Sequence, residues 1–432
     1  MPKTATRLTA LLAIAVSTSA MAVAQDWEYI PYMSDDSAAA EAQASSTPAT
    51  GTIDQVQFGD VWADMDVQLP EHTPNGVSTS TTVGNLANAT RHAGDIDSEV
   101  RQSFDATSRA TNSVRGYSVG TGVSTTTAYA NASSAGTNYG ANSSYAQQEA
   151  AGSVEANSRI ELYQANQVAS ASTAVANVST SDNNDGFSIS DQTQYSAADV
   201  TSETDADMWQ NGTSASFATT AGGNATSSTG YTSTNYNRAL QQTEAGTRIS
   251  GSTDVYMKDG TNVTAATNSF GNSATVHNEW GYATLGIDGA PTQQDNQADV
   301  DAQSYVTLDH WSGYANSSSY GVGNSALISN VGSDTVMYAD QSNSGTVSSY
   351  AKLDGASWTG GTGVVTSTAV GNAATATVCN FCSDGAVGGR VNQVNTGAVI
   401  AQGQANTNYG GGIYGSASAI GNAATIQSLG TE

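Results

Sequence analysis

From Gln55 onward, Gln57 and then the small or apolar residues Gly59, Val61, Ala63, Met65, Val67 and Leu69 occupy every second position. The same alternation follows Gln341 (Asn343, Gly345, Val347, Ser349, Ala351, Leu353) and Gln393 (Asn395, Gly397, Val399, Ala401, Gly403, Ala405). A second series, Val370, Asn372, Ala374, Ala376 and Val378, behaves likewise. Strict period two predicts β-strands with one buried face. The stretch after Gln242 slips, because Ile249 and Val255 fall on the other parity, so a bulge is expected near Gly246.

The alternating stretches recur. A Gly-Asn or Ala-Asn phrase returns at Asn85, Asn131, Asn177, Asn224, Asn272, Asn324, Asn372 and Asn422, at intervals of 46 to 52 residues. A glutamine precedes each asparagine by 29 to 32 residues: Gln55, Gln102, Gln148, Gln192, Gln242, Gln294, Gln341 and Gln393. Two series keeping step along the chain predict an all-β fold, a repetitive β-solenoid or β-helix of eight repeats of about 48 residues spanning 51–432. Stacked coils place equivalent residues ~4.8 Å apart, so inward Asn and Gln are expected to form amide ladders. Their alternative is an unsatisfied buried amide. If each repeat makes two coils, the rod is roughly 75–80 Å long.

Composition narrows the choice. Leu, Ile, Val and Phe make up roughly 15% of the chain, too few for a conventional core. Disorder is the alternative, but after Pro74 the only proline is Pro291, and disordered chains tend to be proline-rich. A narrow coil filled with Gly, Ala, Ser, Thr and Asn fits instead. The net charge of −26 sets the chain against nucleic acid and anionic lipid, while a cationic polymer or a calcium-bridged anionic one stays open.

The N-terminus carries Lys3 and Arg7, an apolar stretch from Leu8 to Val16, and Ala22 and Ala24 before Gln25. This is a secretory signal, 1–24, whose removal takes the charge from −26 to −28. Residues 25–50 read as a flexible leader. No later apolar stretch is long enough to span a membrane.

Candidate chemistry is sparse. His72, His92, His277 and His310 share no metal spacing, and no catalytic motif is found, so neither catalytic nor metal residues are assigned. Asp64/Asp66, Asp95/Asp97, Asp205/Asp207 and Asp299/Asp301 put paired carboxylates on one strand face. They read first as a solvated acidic face, and second as a calcium surface. Trp209, Trp311 and Trp358 each lie 17 residues after Gln192, Gln294 and Gln341. They are expected to align, either as a sugar-stacking stripe or as caps on the core. Cys379 and Cys382 are spaced for a tight local disulfide.

The recurring Gly-Asn-x-Ala and Gln-x-[Asn/Thr]-x-Gly phrases, in an exported acidic chain, resemble those of the D-type holdfast-anchor surface proteins of stalked alphaproteobacteria. They are loosely similar to curlin repeats, which are much shorter. The resemblance implies an outer-membrane-associated protein at the cell surface, tethering an adhesive polysaccharide together with companion anchor proteins. It also implies export through a curlin-type pore. The expected function is structural adhesion, not catalysis. A curli-like amyloid fibre subunit is the alternative, and a polysaccharide-degrading β-helix enzyme ranks third.

Overall fold

The structure, a computed structural model, describes residues 48–357, 361–379, 385–408 and 411–429. It is 88% strand, without helices among the described residues. The first strand, Ala49–Gln57, begins two residues before the expected boundary at 51. Residues 1–47, which hold the expected signal and most of the leader, lie outside the described part, as do Trp358 and Cys382.

The chain winds so that each stretch lies parallel to the equivalent stretch one repeat further on. Ile96 pairs with Asn142, Gly140 with Gly186, and Thr335 with Val387, all in parallel register. Long ribbons such as Ile96–Thr137 and Gly140–Asn184 are nearly complete turns whose corners interrupt the pairing only locally. Each repeat is therefore one rung, and the expectation of two coils per repeat is corrected. Seven rung steps from Asn85 to Asn422 span about 34 Å, less than half the length expected. The reason lies in the cross-section: about 48 residues are spent on one wide turn with several corners.

Period-two alternation survives around the rung, and the inward positions build apolar columns along the axis. Ile160, Ala206, Val255, Val306 and Leu353 stack in register and are all buried. So are Val154, Val200, Ile249, Val300 and Val347. A third cluster, with Leu285, Ile328 and Met337, fills another corner of the later rungs. Each Val, Leu, Ile or Met among them contributes about 1.5–3 kcal/mol by burial, so columns of single aliphatics substitute for a thick core. Between the apolar columns the interior is polar, and that polar part is the most regular feature of the molecule.

Candidate functional site

Asn85 Nδ2 donates to Asn131 Oδ1 at 2.8 Å, and Asn131 to Asn177 at 2.9 Å. The series continues through Asn224, Asn272, Asn324 and Asn372 to Asn422 at 2.8 Å per step. Asn131, Asn177, Asn224, Asn272, Asn324 and Asn372 have no exposed surface. A glutamine ladder faces them, with Nε2–Oε1 distances of 2.7–2.8 Å through Gln55, Gln102, Gln148, Gln194, Gln241, Gln294, Gln341 and Gln393. The two ladders run in opposite senses. Each glutamine donates to the rung before it, and each asparagine to the rung after.

The second N–H of each amide clasps the opposite wall. Every ladder glutamine donates across the interior to the carbonyl just after the asparagine of its own rung, Leu86 through Ala423, at 2.8–3.0 Å. Asn85, Asn131, Asn177, Asn224, Asn324 and Asn372 donate in turn to the carbonyl just after the glutamine of the next rung, at 2.6–2.9 Å. The amides thus tie rung to rung and wall to wall together, with their hydrogen-bonding capacity used.

Two expected glutamines are corrected. Gln192 lies opposite Ala239 and bonds Ser179 and Ser190, and the ladder position belongs to Gln194. Gln242 lies opposite Tyr195 on the outer face, and Gln241 holds the ladder position. Where two glutamines lie close in sequence, rung register selects between them, and a one-residue shift reverses the face. With Gln241 in the ladder, Ile249 and Val255 share its parity. No bulge is then needed, and Gly246 instead serves a turn between Thr234–Thr243 and Arg248–Glu279, at φ 87°.

A second, shorter asparagine ladder accompanies the later rungs. Thr243 donates to Asn296, Asn296 to Asn343 and Asn343 to Asn395, each at 2.7 Å. It explains the Gln-x-Asn phrase and the glycine before the main ladder residue. A Cβ on Gly323 would lie inside contact distance of Asn343 Oδ1, and one on Gly371 would meet Asn395.

Trp209 and Trp311 do not align. Trp311 is 2% exposed and packs among Leu308, Leu353 and Val365, so of its two expected roles the core one holds and the sugar stripe is excluded. Trp209 is 41% exposed and belongs to a different column. It lies 15 residues after its true ladder glutamine, Gln194, whereas Trp311 lies 17 after Gln294. Trp209 continues a stack that sequence reading missed. Tyr117 and Tyr163 lie 4.6 Å apart at 2°, and Tyr163 and Trp209 5.4 Å apart at 15°. Lys258 Nζ, on the next rung, sits 3.5 Å above the Trp209 ring. Both faces of Trp209 are thereby occupied. The signal lay in the aromatic column Tyr117, Tyr163, Trp209, but it becomes readable only once the rung offset is known.

The family model described as holdfast attachment protein D matches residues 70–346. The chain belongs to that family. No curated protein and no solved structure matches it. The matched region of this holdfast attachment protein contains the asparagine ladder from Asn85 to Asn324 and the glutamine ladder from Gln102 to Gln341. Family membership makes it an attachment protein, with a role in holdfast attachment at the cell surface.

The remaining candidates occupy separate places. Asp95 and Asp299 accept the backbone N–H of Ala141 and Thr346 on the next rung, at 2.8 and 2.9 Å. Asp199 and Asp334 do the same for Arg248 and Ala386. Part of the acidic surplus therefore fastens corners. Asp64 accepts from Thr111, Asp66 faces Arg115 at 3.9 Å and Asp205 faces Arg159 at 4.0 Å. Asp301 pairs with Arg248 at 2.7 Å. Burial, and then the neighbouring Asp205, push the Asp254 carboxyl above its ordinary range. Among the described residues no group of three or more His, Cys, Asp or Glu is arranged to hold a metal ion. His92 meets Asn138, His277 meets Ser329 and His310 meets Asp259, on different columns. Cys379 ends the strand Thr362–Cys379, paired with Val331 and Leu429. Among the described residues no helix is long and apolar enough to cross a membrane.

Proposed function

We propose that this protein is an exported structural tether that anchors the adhesive holdfast polysaccharide to the cell envelope. The observation that carries this reading is the continuous pair of amide ladders from the first rung to the last. A load applied along the axis is shared at each step by two side-chain amide bonds and the parallel backbone ladder, a design for holding rather than turning over substrate. Family membership supplies the object held. Export by the N-terminal signal, association with the outer membrane, companion anchor proteins and a curlin-type pore belong to the same reading. So does a Cys379–Cys382 staple. Deleting the gene tests it: adhesive polymer is expected in the medium rather than on the cells. Polymer fully retained on deletion cells refutes the tether.

A second reading, a curli-like fibre subunit, draws support from one observation. The rungs already stack parallel and in register with amide ladders, which is the cross-β arrangement. SDS-resistant, thioflavin-binding assemblies of the purified chain support it, whereas discrete soluble particles exclude it.

A further inference from the structure

Outside the glutamine ladder, on the opposite face of the same strands, runs a shallow groove of about 440 Å³ that none of the preceding features explains. Two columns form it, two residues apart. One contains Leu240, Gln293, Asp340 and Asn392, and the other Gln242, Asp295, Ser342 and Val394, each paired rung to rung. Equivalent positions therefore repeat every ~4.8 Å along the axis. Directly behind them, Gln194, Gln241, Gln294 and Gln341 lock the backbone through the ladder, so the groove wall is held rigid before anything binds.

The chemistry of the lining is specific. Gln242, Gln293 and Asn392 supply amide donors and acceptors. Asp295 and Asp340 supply carboxylates, each holding one neighbouring amide, from Gln297 at 2.6 Å and from Asn392 at 2.7 Å. No Lys or Arg lines the groove, and the chain carries −26 overall. Carboxylates without a cation attract hydrogen-bond donors and repel anions. Leu240 and Val394, the latter 58% exposed, add apolar contact for the C–H faces of a ring.

We propose that this groove is the seat of the tethered polymer: a non-acidic polysaccharide strand lying along the solenoid axis. Its hydroxyls donate to Asp295 and Asp340 and pair with the amides of Gln242 and Gln293. This rests on the tether reading and adds the place of binding and the exclusion of uronic-acid polymers. Trp209 is not the seat, because its ring faces are covered by Tyr163 and Lys258.

The test uses the full chain immobilised on a surface. The probe is the adhesive polysaccharide shed into the medium by the deletion strain, with polygalacturonate as the acidic comparison. The unaltered protein is expected to retain the shed polymer and not polygalacturonate. The double variant Asp295→Ala/Asp340→Ala, and separately Ser342→Tyr, which fills the groove without removing a carboxylate, are each expected to weaken retention at least tenfold. Both must keep the unaltered melting transition, and because they perturb different groups, either one folded suffices. Retention within twofold of the unaltered protein by a folded variant overturns the groove while leaving the tether intact. Retention of polygalacturonate equal to that of the shed polymer overturns the proposed selectivity. No retention of the shed polymer by the unaltered protein overturns both readings.

Discussion

Replacing Asn177 by Ala removes the middle of the asparagine ladder, and its cost follows from three hydrogen bonds. Asn177 donates to Asn224 Oδ1 and to the Tyr195 carbonyl, both at 2.8 Å, and accepts from Asn131 Nδ2 at 2.9 Å. The site has no exposed surface, so water cannot replace the lost partners without opening the rung. The substitution strands one N–H of Asn131 and the Oδ1 of Asn224, each at about 1–3 kcal/mol for a buried unsatisfied group. A total of about 4 kcal/mol is expected, a large share of the stability of an ordinary domain. Asn422 supplies the control. It lies exposed on the last described rung and accepts one bond from Asn372 at 2.8 Å, so Asn422→Ala is expected to cost about 1 kcal/mol. Guanidinium unfolding followed by far-UV circular dichroism gives both numbers. Amide hydrogen exchange on the rungs flanking Asn177 shows whether the loss is local, as expected when each unit touches only its neighbours. An Asn177→Ala change below 1 kcal/mol, or one equal to that of Asn422→Ala, refutes the claim that the ladder holds the rungs together.

Three further outcomes follow from the same geometry. Gly323→Ala forces a methyl against Asn343 Oδ1 and the Gly371 carbonyl and is expected to destabilise by about 1–3 kcal/mol, read in the same unfolding assay. Lys258→Ala removes the cation above Trp209 at a cost of about 0.5–1 kcal/mol, and the emission of the half-exposed indole is expected to shift; an unchanged spectrum refutes the contact. Burial pushes the Tyr129 hydroxyl up to about 12. Below pH ~10 the tyrosine is neutral in both states and costs nothing. Between pH ~10 and ~12 it ionises only in the unfolded chain, so stability falls by up to about 3 kcal/mol, and Tyr129→Phe should flatten that fall in melting temperatures measured across the range.

Much of this architecture is legible in the residues themselves. Alternation reports which side chains share a face, because successive Cβ atoms of an extended backbone point to opposite sides whatever the chain does next. Recurrence at 46 to 52 residues reports stacking, since a polar Asn kept at the inward position needs an identical partner above and below. The asparagine ladder is therefore readable position by position. The glutamine ladder is readable except where Gln192 competes with Gln194, and Gln242 with Gln241.

What the tertiary structure decides is everything that depends on how far the chain travels before it returns. The number of residues spent at each corner sets the rung offset, and neither alternation nor composition records it. That offset makes each repeat one rung instead of two. It sends Trp311 into the core while leaving Trp209 outside against Lys258, and it selects Gln194 and Gln241. The cross-interior clasp, from each glutamine to the carbonyl after its asparagine, exists only once two walls some 30 residues apart in sequence face one another. Local periodicity belongs to the backbone, whereas register belongs to the closed turn.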